Sequence, residues 1–263
     1  MLTKEIIIRQ LQRLSDFAED NLGQLDGVKL DEINEIQDYY LGYIRRQSFF
    51  AFDLISIFKY SPHKSFVTQF ILSRCIVDDY LHLLYLINQA DVNEAIICFN
   101  ADAHKKNFDK ISELTDVNEG ILGGSFPLYP TSKIRDEVKE KLQKNPNKAQ
   151  YFTDITNFEF KSAKATGNFI KDFPKDKFGA QVRRAYYLWR HLSDYVHYSK
   201  FSFDLEFYPE NRDNALNIIQ EMIYYSYRLV KISFKYFEDA FGLTLKDRHS
   251  LSTHYKATED EEK

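Results

Sequence analysis

Residues 211–241 read NRDNALNIIQEMIYYSYRLVKISFKYFEDAF. Leu216, Ile219, Ile223, Tyr227, Val230 and Phe234 recur within it at steps of three and four. That period places one apolar stripe along an α-helix, whereas a half-buried strand would alternate every second residue. The same pattern extends upstream. Ile7, Leu11, Leu14 and Ala18 mark a helix over residues 3–21. Ile33, Ile36, Tyr40, Tyr43, Ile44, Phe50, Leu54 and Ile57 mark a long second one over 31–60. Phe66, Phe70, Val77, Leu81, Leu84 and Ile87 mark a third over 64–89, and further helices are expected over 93–114, 132–144 and 178–198. Nine glycines and six prolines in 263 residues leave few of the residues that punctuate sheets and turns. The fold expected is therefore all-α: an antiparallel helical bundle forming a single domain over 1–242.

The breaks fit this outline. Residues 21–27 contain two glycines and read as a turn. Asp31 and Glu32 suit the positive end of the second helix, and Ser61-Pro62 ends it, because the residue before proline avoids the α conformation. EGILGGSFPLYP at 119–130 is the clearest interruption, followed by Asn145-Pro146. Residues 151–177 are irregular and basic, with Lys161, Lys164, Lys171, Lys175 and Lys177, and read as a mobile loop, short helices or a solvated surface segment. Together, residues 119–177 form an irregular insertion. The polar stretch 243–263 ends in Glu-Asp-Glu-Glu-Lys and reads as a disordered acidic tail.

Several functional classes are disfavoured. A net charge of −4 is unlike a protein that coats nucleic acid, so any RNA contact must be local. Cys75 and Cys98 stand apart in apolar helical surroundings, which fits a reducing, cytoplasmic setting. MLTKEIIIRQLQRL carries charge throughout and lacks the core of a signal peptide. The longest apolar stretch, residues 49–58, contains Asp53 and is too short to span a bilayer, so no membrane partner is expected. His63, His82, His104, His249 and His254 lack paired ligand spacing, and no metal or cofactor is expected. Gly120, Gly123 and Gly124 precede no phosphate-loop lysine.

The segment with the most chemistry is residues 181–203, QVRRAYYLWRHLSDYVHYSKFSF. At about 100° per residue, positions seven apart fall within roughly 20° of one another. One helix face therefore carries Arg183, Arg190, Asp194 and His197, while the apolar set Val182, Tyr186, Trp189 and Val196 is centred elsewhere. Arginine offers a planar fork of donors to phosphate oxygens, and histidine exchanges a proton near neutral pH. Arg190 and His197 stand about two turns apart, roughly 10 Å along the axis, so both reach toward a phosphate lying over them. Asp194 is placed to hold the imidazole or to neutralise Arg190, and Ser193 lies beside it. A plain Arg–Asp pair at i,i+4 and a histidine at a helix end account for the same residues structurally. Arg74 lies on the third helix's apolar stripe with Asp78 one turn on and Asp79 adjacent. A charge there needs a partner. The pair either braces the bundle or lines the same pocket as His197.

Arg190-His191, followed by Leu192-Ser193-Asp194-Tyr195-Val196-His197, resembles the signature of the HEPN superfamily: an arginine, often followed by Asn, His or Asp, and then a histidine after a gap of four to six residues. The wording around His197, and an arginine with an acidic residue one turn later in an early helix, are similar to those of a HEPN-like group of bacterial helical proteins. The likeness is sharp over about 20 residues and elsewhere rests on helical organisation. It implies a HEPN-like bundle and a metal-independent endoribonuclease, often homodimeric, in toxin or antiviral defence settings. In such enzymes the RNA 2′-hydroxyl is the nucleophile, and Arg190 and His197 would act on the scissile phosphate. By this reading the catalytic candidates are Arg190, His197 and Asp194, and the substrate-binding candidates are Arg74, Asp78, Arg183 and Ser193. The other reading, from a different class, is a non-catalytic helical module that binds a protein partner or a nucleotide.

Overall fold

The computed structural model describes residues 2–29, 34–60, 66–197 and 211–247, with side chains in the last stretch from residue 214 onward. The protein is all-α, apart from one short hairpin among the described residues. Its helices are α1 (Lys4–Leu25), α2 (Glu35–Tyr60), α3 (Val67–Ile87), α4 (Val92–Gly120), α5 (Ser132–Lys144), α6 (Thr166–Phe169), α7 (Lys177–Val196) and α8 (Asn211–Phe241). Expectations that fall on Asp31, Glu32, Ile33, Ser61, Pro62, His63, Lys64, Tyr198, His249, His254 and the rest of 248–263 lie outside the described residues. No helix among the described residues is long and apolar enough to cross a membrane.

The chain divides into two compact units: Met1–Asn88 with Thr166–Lys263, and Gln89–Ala165. The second unit therefore takes in α4 as well as most of the stretch read as an insertion. Its own core explains the division. Ile97 and Ala101 of α4 are buried with Tyr151 and Phe152, and Leu142, Ile155, Phe158 and Phe160 pack around them.

In the first unit the stripe of α8 is buried throughout: Leu216, Ile219, Ile223, Tyr227, Val230 and Phe234 all face the core. α8 packs against α1, α2 and α3. Aromatic pairs mark each contact: Phe17–Tyr227 at 5.1 Å, Tyr40–Tyr236 at 5.1 Å and Tyr80–Tyr225 at 4.6 Å between ring centres. α3 is covered on more than one side, by α2, α7 and α8. Phe70 meets Tyr195 of α7 at 4.8 Å. Such contacts add roughly 0.5–1.5 kcal/mol each beyond their buried area.

Several boundaries differ from the sequence expectation, among them the end of α4, which runs six residues past Leu114 to Gly120. α1 continues through the supposed turn to Leu25, because Asn21 is not a turn residue here. Its buried amide Nδ2 donates to the Phe17 and Lys246 carbonyls at 2.8 and 2.9 Å, and its Oδ1 accepts from the Lys246 N–H at 2.9 Å. The same contacts correct the beginning of the supposed tail. Residues 243–247 run alongside the bundle, with the Leu245 N–H donating to Glu238 and the Tyr227 hydroxyl to Asp247. α2 is capped by Asn34, whose Oδ1 accepts from the N–H groups of Ile36 and Gln37.

Residues 151–177 are more regular than expected. In the second unit β1 (Phe152–Asp154) pairs antiparallel with β2 (Glu159–Phe160), Phe152 opposite Phe160. Asp154 Oδ1 accepts from the N–H groups of Thr156 and Asn157, closing the turn. Phe152, Phe158 and Phe160 meet within 5.4 Å of one another, so aromatic burial rather than a period-two pattern holds the hairpin. In the first unit Phe169 of α6 is fully buried against Tyr85 and His82 of α3.

Candidate functional site

α7 begins at a firm cap: Asp176 accepts from the Gly179 N–H at 2.8 Å. Its buried face is Gly179, Val182, Ala185, Leu188, Leu192 and Tyr195. The apolar set expected from sequence is thus displaced. Val182 is buried, Val196 is 47% exposed, and Tyr186 and Trp189 are half-buried at the edge, stacked at 5.6 Å. The core contact with α3 takes the small and aliphatic residues and leaves the two large rings at the seam.

Gly179 is required at its position. A Cβ there would stand 1.7 Å from the Pro174 carbonyl oxygen and 2.7 Å from Arg183 Nη1. Over that gap Arg183 donates to the Pro174 and Phe173 carbonyls at 3.2 and 3.4 Å. Its guanidinium clasps the chain entering α7.

Along the α3–α7 seam four residues close a ring of polar contacts. Arg74 Nη1 pairs with Asp78 Oδ2 at 3.3 Å, one turn along α3. Trp189 Nε1 donates to Asp78 Oδ1 at 2.9 Å. Arg74 Nε donates to Ser193 Oγ at 3.0 Å, and that hydroxyl donates to the Trp189 carbonyl at 2.7 Å. The Arg74 guanidinium also lies over the indole, 4.3 Å from its centre. Arg74, Asp78 and Ser193 are therefore brought together by the fold, with Trp189 as a fourth member that the sequence reading assigned to the apolar set. The signal for it was present: it is the one tryptophan in the chain, and a half-buried indole N–H seeks an acceptor.

Arg190 and His197 lie just beyond this ring on α7. Arg190 is exposed, and among the described residues no hydrogen bond or ion pair engages its guanidinium. α7 stops at Val196, two residues short of the expected end. His197 has extended backbone angles (φ −95°, ψ 142°), yet its N–H still bonds the Ser193 carbonyl at 3.0 Å. The His197 N–H thus closes the last turn of α7, but His197 itself lies outside the helix, so the continuous helical face expected from Arg183 to His197 ends at Val196; the His197 side chain is exposed. Asp194 is half-buried and acts electrostatically on His191. Burial holds that imidazole below its ordinary value, Asp194 opposes the shift, and Arg184 adds to it. Arg184 itself is held by Glu221 of α8 through two bonds of 3.0 and 2.8 Å.

A second polar centre, which the sequence reading did not assemble, lies one residue along α3. Asp79 is 3% exposed. Its Oδ1 pairs with Arg46 at 2.9 Å, and its Oδ2 accepts from Gln47 Nε2 at 3.1 Å. Gln47 in turn accepts from the Ser226 hydroxyl at 2.8 Å, so three helices share one buried chain of bonds. Burial pushes Asp79 up to about 7, and Asp78 adds to the rise, while Arg46 and the Gln47 bond work against it. An acidic residue with the apolar Ile76 and Leu83 one turn before and after it on the helix was the available signal. Its partner sits on α2, 33 residues earlier, beyond any local pattern.

Among the described residues no three His, Cys, Asp or Glu side chains gather as metal ligands, and both cysteines are free thiols. Comparison with protein-family models, curated proteins and solved structures returned no match.

Proposed function

We propose that α7 presents the active face of a HEPN-like, metal-independent endoribonuclease, with Arg190 and His197 as its catalytic pair. The observation that carries this reading is a contrast of engagement. Arg74, Asp78, Ser193 and Arg183 are committed to contacts with the protein. Arg190 on α7 and His197 at its C-cap are exposed, and among the described residues no hydrogen bond, ion pair or ring contact engages either side chain. In the reaction the RNA 2′-oxygen forms a bond to phosphorus as the bond to the 5′-oxygen breaks. The 2′-hydroxyl proton leaves to a base, and the departing 5′-oxygen takes one up. Arg190 stabilises the charge that builds on the phosphoryl oxygens, and His197 supplies or accepts a proton. The setting suggested by the motif is that of a cytoplasmic, homodimeric toxin or defence effector.

A non-catalytic binding module is the second reading. It is favoured by the closed Arg74–Asp78–Trp189–Ser193 ring, which serves structure whether or not RNA binds. Purified wild type, Arg190→Ala and His197→Ala, each assayed on end-labelled RNA with and without a chelator, separate the two. The ribonuclease reading expects chelator-resistant cleavage that falls about 100-fold or more in either variant. Cleavage of equal rate in all three proteins, or no cleavage by dimeric wild type, overturns it.

A further inference from the structure

We propose that Trp189 is a positioning residue for the Arg190–His197 pair, acting through its bond to Asp78; this rests on the ribonuclease reading above. Three features of the ring lead there. First, its contacts hold α7 at two points one turn apart. Trp189 Nε1 reaches Asp78 at 2.9 Å, and Ser193 Oγ takes Arg74 Nε at 3.0 Å. Two such points on one helix fix both its rotation about its own axis and its sliding along α3, whereas one would leave a pivot. Second, the anchors sit beside the pair. Trp189 immediately precedes Arg190, and Ser193 is one turn before His197, with its carbonyl accepting the His197 N–H at 3.0 Å. Any rotation of α7 is transmitted directly to both side chains. Third, the indole is itself held: the Arg74 guanidinium lies 4.3 Å from its centre and the Tyr186 ring is stacked at 5.6 Å. A ring so covered is poorly placed to stack a base, but well placed to hold a helix. A buried apolar contact could supply comparable stability; the directional N–H to carboxylate bond adds a defined angle.

Trp189→Phe removes the N–H while keeping a ring for Arg74 and Tyr186. Asp78→Ala removes the acceptor and leaves the indole in place. Steady-state cleavage of labelled RNA and the imidazole C–H resonances of His197 are measured for wild type, both variants, the double variant and an exposed control, Tyr187→Phe. The expected result is a kcat about 10- to 100-fold lower in each single variant with KM within about twofold. The double variant should fall no further than the worse single one, because both changes break the same bond. The His197 resonances should move in the ring variants and not in the control. An unchanged kcat in Trp189→Phe, losses confined to KM, additive losses in the double variant, or unmoved His197 resonances would each overturn the positioning role while leaving the ribonuclease reading intact. Wild-type protein that leaves RNA uncut overturns that reading and this inference together.

Discussion

Replacing Asp79 with asparagine should make the protein more stable above neutral pH and leave it nearly unchanged in acid. Asp79 is 3% exposed and its pKa stands at about 7 rather than the ordinary 3.8, with burial as the main cause. A carboxyl whose folded pKa lies above its unfolded one keeps its proton in the native state after the unfolded chain has released it. Between those two values the folded protein binds more protons, so stability falls as pH rises. The full difference of about 3 units corresponds to at most about 4 kcal/mol, reached above pH 7. Asparagine has nearly the same shape, can still accept from Gln47 or Arg46, and has no charge to bury. Urea denaturation of wild type and Asp79→Asn between pH 5 and pH 8 isolates the effect, because other titrating groups cancel in the difference. The advantage of Asp79→Asn should grow by roughly 2–3 kcal/mol across that range. A difference that stays flat, or that shrinks as pH rises, would mean that the Arg46 pairing outweighs burial and that the reasoning is wrong.

Two other substitutions test the framework around α7 and α1. Gly179→Ala should lower stability by about 1–3 kcal/mol or more, because its Cβ would meet the Pro174 carbonyl oxygen at 1.7 Å; an unchanged thermal midpoint would contradict the close approach. Asn21→Ala should cost about 1–3 kcal/mol by leaving the Lys246 N–H and carbonyl without their amide partner, and hydrogen exchange at the Lys246 amide should quicken; retained protection there would show that residues 243–247 are held by something else.

Local periodicity made most of the helices legible, since apolar side chains at three- and four-residue steps can share a buried face only on a helix. Every stripe residue named for α1 and α8 is buried. The reading failed where a residue's partner is distant. Asn21 carries a turn-like signature, yet it lies inside a helix because Lys246, 225 residues on, satisfies its amide. Residues 151–165 lack a strand pattern, and their hairpin is held by aromatic contacts instead. On α7 the apolar set included Tyr186 and Trp189, which lie at the half-buried edge, because an amphipathic helix shows that it has an inner face but not how wide its neighbour is.

The sequence alone determined the all-α class, because apolar side chains at three- and four-residue steps share a buried face only on a helix. Only the tertiary structure decided which of the neighbouring polar residues remain available. Arg74 and Asp78 pair with one another along α3, and packing α3 beside α7 adds Ser193 and Trp189 as their further partners. It also paired Arg46 with Asp79 in a buried site. Those assignments depend on which helices lie side by side, and contacts between residues on different helices, 33 positions apart for Arg46 and Asp79 and more than a hundred for the α3–α7 ring, leave no period in the chain that makes them.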